Sequence, residues 1–132
     1  MPLAFANGRP LPAAGQRRGD IWRGRGGGGM AQGKVVLVGD LGQLPTAPGA
    51  DLQDVVIVGR ALTPGMIAQL AGVAAIVVEF GEFLGHVAAM ARELRIPYVV
   101  GCIGATEALL PGDRVFVDGD AGIVVKLHRQ SG

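Results

Sequence analysis

The amino-acid sequence predicts one mixed α/β domain, with parallel strands in the middle of the chain and antiparallel strands at its end. Its 132 residues suit a single hydrophobic core, and 49% hydrophobic with 17% charged residues is the composition of a folded protein. Short β-branched runs alternate with helical segments between residues 34 and 101, which is typical of strand–helix–strand crossovers. The 23 glycines follow no collagen-like period, so we interpret them as tight turns between short elements.

The first 34 residues form the least regular part of the sequence. Residues 1–15 allow a short edge strand limited by three prolines, and residues 16–32 are expected to form a flexible Gly/Arg-rich loop. Six Lys or Arg residues and one acid give residues 1–34 a charge of +5, while the remainder carries −4. A basic segment can contact nucleic acid or an acidic partner. Because residues 16–32 contain one aromatic residue and no regular period, we expect a solvated loop and no nucleic-acid partner.

The middle of the chain predicts a first strand–helix–strand unit. Lys34–Asp40 is a β-branched run that ends in a turn, and Val55–Val58 is continuously apolar, as in a strand covered on both faces. Thr63 can cap a short helix that begins at the following proline, and Gly72 can end it. Ala75–Val78 then forms the next strand.

A second unit of the same kind carries a longer helix. Apolar residues recur at spacings of three and four through the segment EFLGHVAAMARELR, which predicts one helix face packed on a sheet. Ile96 and Pro97 end this helix, and Tyr98–Gly101 returns as a strand. A helical turn over Thr106–Leu110 follows. Two antiparallel strands, Arg114–Val117 and Gly122–Leu127, then close the domain.

The cysteine count and the hydropathy pattern bear on location. Cys102 is the one cysteine, so no disulfide can form within the chain, and a packed rather than reactive thiol is expected. No secretory signal is evident, and no apolar run reaches the roughly 20 residues that span a bilayer. We therefore expect a cytoplasmic protein with no membrane partner.

His86 is the main candidate for a reactive group, since it lies near the start of the longer helix. A helix N-terminus presents unpaired N–H groups and the positive end of the helix dipole, which suits an anion. That environment also favours a neutral, nucleophilic imidazole. His86 can therefore accept a phosphoryl group there. By the local argument alone, a structural role is the more common one for a histidine near a helix start.

The wider sequence resembles the mobile phosphohistidine domain of phosphoenolpyruvate-utilising enzymes, such as pyruvate phosphate dikinase, phosphoenolpyruvate synthase and enzyme I. The resemblance covers roughly residues 33–127, which we expect to form a phosphohistidine-like core. The matching positions of the histidine motif are Gly81, His86, Ala88, Ala91, Arg92, Glu93, Leu94, Ile96, Pro97, Val99, Val100 and Gly101. The matching positions after it are Ala105, Thr106, Leu109, Gly112, Val117, Asp118, Gly119 and Gly122.

This resemblance implies the swivelling β/β/α fold and a catalytic role for His86 as the phosphate-carrying residue. Gly81, Glu82, Gly85 and Arg92 then become the candidate phosphate-binding and loop residues, although ion pairing on the helix surface is the simpler role for Arg92. The implied partners are a nucleotide-binding domain and a phosphoenolpyruvate- or pyruvate-binding domain, met in trans by a free-standing carrier or by an excised fragment. No cofactor or metal is expected in this domain, because Mg²⁺ is implied only for the partner domains. The chain is thus expected to be a phosphotransferase component rather than a complete enzyme.

The sequence departs from the family pattern beside the reactive residue. Glu82 replaces the second glycine, Leu84 replaces a threonine, and Gly85 replaces the serine or cysteine before His86. Glu82, with Glu79 nearby, adds negative charge that would repel a phosphoryl group. The alternatives are therefore a carrier with a relaxed site, a regulatory or structural module or small enzyme subunit that has lost phosphate carriage, and an altered enzyme with Glu82 and His86 as an acid–base pair. Exposed edge strands also allow two copies to pair.

Weaker candidates are given simpler interpretations. His128 lies in a polar tail and is expected to be solvent-exposed. Glu79, Glu82 and His86 lack a recognised metal-ligand spacing. The glycine run at residues 26–29 does not link a strand to a capped helix, so it does not indicate a dinucleotide site.

Overall fold

The computed structural model describes residues 5–6, 9–10, 12–13, 15–38, 52–62, 64–67, 70–80 and 84–127. The strands in these ranges are β1 Phe5–Ala6, β2 Arg9–Pro10, β3 Arg17–Arg18, β4 Ile21–Arg23, β5 Arg25–Gly27, β6 Met30–Val38, β7 Val55–Gly59, β8 Ala75–Val78, β9 Tyr98–Val100, β10 Arg114–Asp118 and β11 Ile123–Leu127. The helices there are α1 Pro64–Ile67, α2 Leu84–Glu93 and α3 Ala105–Ala108, and a 3-10 turn covers Leu52–Asp54.

Nine of these strands form one mixed sheet in the order β3-β4-β11-β10-β6-β7-β8-β9-β5. The four central strands β6, β7, β8 and β9 run parallel to one another. The β10–β11 hairpin and strands β3, β4 and β5 pair antiparallel. The predicted α/β class is confirmed, as is the arrangement of parallel strands in the middle and an antiparallel hairpin at the end.

The parallel strands are buried on both faces because they lie between two cores. In β7, Val56 and Val58 pack in one cluster with Trp22 and with side chains of β10 and β11. Ile57, between them, packs in a second cluster with Val87 of α2. The antiparallel half of the sheet therefore covers one face of β7, β8 and β9, and the helices cover the other. This β/β/α layering explains why these strands read as continuous apolar runs.

Residues 16–32 do not form the loop that their composition predicted. They contribute β3, β4, β5 and the start of β6, and β5 pairs with β9. The side chain of Trp22 is 0% exposed, and the Arg17 guanidinium lies 4.8 Å from the centre of its ring. Glycine is needed in this segment for close backbone contact: a Cβ on Gly24 would lie 2.1 Å from the carbonyl oxygen of Val100. The glycines that suggested mobility thus permit tight strand packing.

We predict that Gly24→Ala destabilises the domain by about 1–3 kcal/mol, because the added methyl group meets backbone rather than a side chain that can move. Urea unfolding followed by circular dichroism measures the change. Gly85→Ala is the matched control, since a Cβ there meets no atom of residues 84–127 or of the other described ranges within 4 Å, and alanine favours a helix by up to about 1 kcal/mol. A Gly24→Ala variant as stable as the wild type would show that the backbone between β4 and β5 does not pack closely on β9.

The remaining elements differ from expectation mainly at their ends. Gly72, the predicted helix end, has a φ of +95° in a turn, whereas α1 as described stops at Ile67 and Thr63 lies outside the described residues. The longer helix ends at Glu93, three residues before Ile96, and Arg95 adopts a left-handed φ of 58° in the turn after it. Residues 1–15 supply a separate two-stranded pair, β1 with β2. None of the helices in the described ranges is long and apolar enough to span a bilayer.

Candidate functional site

The candidate site lies where the parallel strands β7, β8 and β9 end. Backbone hydrogen bonds tie each of two loops to the end of the neighbouring strand. After β8, Glu79 N–H donates to Gly59 O of β7 at 3.0 Å, and after β9, Gly101 N–H donates to Val78 O of β8 at 2.8 Å. The carboxyl ends of parallel strands are the usual place for a site in an open α/β sheet, because the loops converge there. The chain after β8 continues to α2, which begins at Leu84, and residues 81–83 between them lie outside the described structure.

Helix α2 presents His86 at this edge. The helix is held to the sheet by Val87 and Ala91, whose side chains are both 0% exposed. His86 precedes Val87 in the first turn and is exposed. A helix turns about 100° per residue, so a residue beside an anchoring position faces away from the sheet. The packing of α2 therefore directs His86 outward, where another molecule can reach it.

Only part of the predicted site set falls within the described structure. Gly85 and His86 are adjacent in the first turn of α2, while Gly81 and Glu82 lie outside the described residues. Arg92 is exposed in the last turn of the helix. It is separated from His86 by roughly 9 Å along the axis and about 120° around it. The structure thus joins Gly85 to His86 and does not bring Arg92 beside them.

A cavity of about 490 Å³ lies beside the first turn of α2, bounded by that helix and by the segments of β5 and β9. Its lining residues are Gly15, Gly24, Arg25, Gly26, Leu84, Gly85, Ala88, Tyr98, Val100 and Gly101. A Cβ built on Gly85 meets no atom of the described residues within 4 Å. The described structure therefore leaves space at the position where the related family carries a hydroxyl or thiol.

Glu79 is the buried carboxylate of the edge, and the sequence suggested for it a repulsive charge or a weakly supported metal ligand. Its side chain is 4% exposed. Oε1 accepts a hydrogen bond from Gly104 N–H at 2.9 Å, while Oε2 accepts from Thr106 N–H at 2.8 Å and from Thr106 Oγ1. Burial by itself would raise the pKa of Glu79, but these hydrogen bonds and the charge of Arg60 outweigh it and hold the pKa below its ordinary value. Glu79 is thus an ionised group turned toward the loop after β9.

Exposed apolar side chains lie on the same edge. Phe80 is 43% exposed and Ile103 is 50% exposed. Phe80 N–H donates to Arg60 O at 2.9 Å, and the Arg60 guanidinium lies 5.6 Å from the centre of the Phe80 ring. Sequence reasoning did not single out these residues, because their neighbourhood arises from three separate loops.

Burial settles the role of Cys102, whereas the metal candidate of Glu79, Glu82 and His86 stays untested because Glu82 lies outside the described residues. Cys102 is 0% exposed, and burial, with a smaller contribution from Glu79, raises the pKa of its thiol to about 12. It is therefore a packed residue, as expected. Within the part of the chain that the structure describes, no three His, Cys, Asp or Glu residues are grouped closely enough to hold a metal ion.

The β/β/α layers define a mixed α/β domain that presents an exposed histidine at the start of α2. The model of the family "PEP-utilising enzyme, mobile domain" matches residues 52–122, and the chain belongs to this family. The resemblance noted in the sequence is thereby confirmed.

Relatives with this domain are much longer proteins. The chain is 37% identical over 98 residues to a probable phosphoenolpyruvate synthase of Pyrococcus abyssi, covering 74% of the chain and 12% of the relative. It is 37% identical over 102 residues to a chondramide synthase of Chondromyces crocatus, covering 77% of the chain and 2% of the relative. An uncharacterized phosphotransferase of Bacillus subtilis is 35% identical over 102 residues, with 76% and 12% covered. The chain therefore spans a small fraction of these relatives.

Two solved structures share the fold. A solution structure of an enzyme I protein matches with a TM-score of 0.53 and 37% identity, covering 61% of this chain and 35% of that one. The crystal structure of Thermococcus kodakaraensis aconitase X matches with a TM-score of 0.61 and 25% identity, covering 83% of this chain and 100% of the matched chain.

Proposed function

We propose that this chain is a phosphohistidine carrier of a phosphoenolpyruvate-utilising phosphotransfer system, in which His86 accepts a phosphoryl group and passes it on. The observation that carries the proposal is the exposed position of His86 in the first turn of α2, at the edge where the parallel strands end. Membership of the PEP-utilising mobile-domain family supports phosphoryl transfer as the chemistry of that edge.

The proposed step is a displacement at phosphorus. A ring nitrogen of neutral His86 supplies its lone pair to phosphorus, a P–N bond forms, and the P–O bond to the donor breaks with its electron pair leaving on the donor oxygen. The other ring nitrogen keeps its proton. The positive end of the α2 helix dipole favours the negative phosphoryl oxygens at this position. Transfer to the acceptor is the same displacement in reverse.

The donor and the acceptor belong to other domains. Phosphoenolpyruvate synthases and phosphotransferases among the relatives carry this domain as about one eighth of their length. We infer that the chain works with a nucleotide-binding domain and a phosphoenolpyruvate- or pyruvate-binding domain, and that Mg²⁺ and substrate are bound by those partners. No cofactor of its own is required for the proposed step, and association of two copies is not required either.

Intact-mass spectrometry of the purified chain tests the proposal. The chain is incubated with phosphoenolpyruvate or ATP and a lysate of its own source cells. The expected result is a gain of one phosphoryl mass that is lost in mild acid and retained in mild base, as for a phosphoramidate bond. An authentic enzyme I domain is phosphorylated in parallel with its own donor. No gain by this chain while its own lysate phosphorylates a related mobile domain from the same cells would overturn the proposal.

Gly85 offers a test of the departure beside His86. We predict that Gly85→Ser increases the rate of phosphoryl uptake by about 10-fold or more, because a hydrogen bond to a charged group stabilises by about 1.5–3 kcal/mol. The described part of the chain leaves room for the hydroxyl, since a Cβ at this position meets none of its atoms within 4 Å. Gly85→Ala is the control, because both substitutions raise the helix propensity at this position and only serine adds a hydroxyl. Equal rates for the serine and alanine variants would mean that the hydroxyl does not contact the transferred group.

A module that keeps the fold without carrying phosphate is the second candidate. The absence of a side chain at Gly85 favours it, as does the match of a complete chain from the aconitase X structure. This candidate predicts no phosphoryl uptake by either the wild type or Gly85→Ser. The altered enzyme with a Glu82–His86 pair stays a hypothesis, since Glu82 lies outside the described residues.

A further inference from the structure

We propose that Glu79 is a positioning residue for His86, fixing the edge from which α2 rises by anchoring the end of β8 to the loop after β9. This inference rests on the proposed function. Glu79 is the one charged or polar residue counted among the buried side chains of the described structure, at 4% exposure. A carboxylate is costly to bury without compensation, and the hydrogen bonds to Glu79 supply that compensation.

The anchoring acts at two points of one residue. The backbone N–H of Glu79 donates to the carbonyl oxygen of Gly59, the last residue of β7, and its carboxylate accepts hydrogen bonds from Gly104 and Thr106 after β9. The chain that continues from Glu79 reaches the first residue of α2 at position 84. The end of β7 and the loop after β9 are therefore joined through Glu79, the residue that begins the connection to the histidine-bearing helix.

The charge of Glu79 is compatible with phosphate carriage because its oxygens are occupied. Both carboxylate oxygens accept backbone N–H groups, Thr106 adds its hydroxyl, and Arg60 contributes an attractive charge. These donors direct the negative charge toward the loop after β9. Negative charge at position 79 therefore orders the edge, in contrast to the repulsion inferred from the sequence.

Glutamine has the size of glutamate but cannot accept both backbone hydrogen bonds, so Glu79→Gln tests the anchoring directly. Oε1 and Oε2 each face a backbone N–H, that of Gly104 and that of Thr106. An amide has one acceptor oxygen and one NH₂ group, so in either orientation its NH₂ meets a backbone donor. One of the two N–H groups then loses its acceptor. Thr106→Val removes only the hydroxyl donor, whereas Thr106→Ser keeps it.

The test compares rates of phosphoryl uptake at a temperature where circular dichroism shows every variant folded. We expect Glu79→Gln to slow uptake about 10- to 100-fold, since small displacements of a reacting group cost that much. Thr106→Val is expected to slow uptake less, Thr106→Ser to restore it, and the Glu79→Gln/Thr106→Val double variant to be no slower than Glu79→Gln alone. Val115→Ala, a substitution in the buried core of β10, controls for lost stability.

The outcomes separate positioning from other roles. If Val115→Ala and Glu79→Gln lost the same stability and slowed phosphoryl uptake equally, Glu79 would have only a structural role, and the inference would be overturned. Faster uptake by Glu79→Gln would show that its charge repels phosphate, which also overturns it.

The behaviour of the wild type distinguishes a failure of the proposed function from a failure of the positioning role. If the wild type takes up no phosphoryl group, amide hydrogen exchange replaces the rate as the readout. Glu79→Gln must then lower the protection of Gly104 and Thr106 together with that of α2 relative to Val115→Ala. Unchanged protection of α2 would overturn the positioning role independently of any phosphoryl chemistry.

Discussion

The His86→Ala variant is expected to take up no phosphoryl group under conditions that label the wild type fully. The reason is chemical: alanine has no nucleophile, and no neighbouring imidazole replaces it, because His128 is the only other histidine of the chain. The substitution is also structurally mild, since His86 is exposed and the anchoring residues of α2 are Val87 and Ala91. Loss of labelling in a protein of unchanged circular dichroism is therefore attributable to the imidazole itself.

His128→Ala is the matched control for this experiment, and we expect it to label as the wild type does. Intact mass and acid lability are measured for both variants with the same donor and lysate. If His86→Ala were still labelled and His128→Ala were not, the phosphoryl group would lie on His128, which would contradict the account.

Truncation of Trp22 is expected to have the largest effect on stability. Trp22→Ala should cost about 3–5 kcal/mol, as for other large aromatic side chains removed from a core, out of the 5–15 kcal/mol that stabilise a typical domain. Trp22 is 0% exposed, and it packs with Val115, Val117 and Val124 of the antiparallel half of the sheet. Urea unfolding followed by circular dichroism is the measurement, because Trp22 is the only tryptophan and its fluorescence is lost in the variant.

Trp22→Phe provides the control for the polar part of the indole. Nε1 of Trp22 is buried and has no hydrogen-bond acceptor among the described residues. Phenylalanine therefore loses ring volume without leaving a new unpaired group, and we expect a smaller cost than for Trp22→Ala. A loss of stability of less than about 1 kcal/mol is typical of substitutions at the surface. So small a loss in Trp22→Ala would contradict the placement of β4 in the core.

The central strands were predictable from the sequence because their physical signal is local. Val55–Val58 and Ala75–Val78 are continuous apolar runs, and both lie in parallel strands buried on two faces. Helix α2 was predicted by its apolar spacing, with Val87 and Ala91 indeed on the buried face. The C-terminal hairpin was predicted by two short apolar runs around a glycine-bearing turn, and β10 pairs with β11 as expected.

The N-terminal strands were not predictable in this way, because their partners are distant in the chain. β4 pairs with β11 and β5 pairs with β9, about 100 and 75 residues away, respectively. The glycines at positions 24 and 26 indicate a loop when only neighbours in sequence are considered. In the fold they allow two backbones to approach more closely than any side chain would permit.

The site was predictable only in its sequence-local part. His86 and Gly85 are neighbours in the chain, so their adjacency follows from the helix. The bonds between Glu79 and Thr106, and the contact between Arg60 and Phe80, join loops that are separate in sequence. No sequence spacing connects residues 79 and 106. An acidic residue at the end of a buried strand does indicate that its carboxylate needs a hydrogen-bond partner elsewhere in the fold.

The most direct measurement of the central claim is nuclear magnetic resonance of the phosphorylated chain, labelled with ¹⁵N at the histidine rings. The account predicts a one-bond coupling between phosphorus and a ring nitrogen of His86, with both ring nitrogens of His128 unsplit. The absence of such coupling on His86, in a sample whose mass shows one phosphoryl group, would contradict the account.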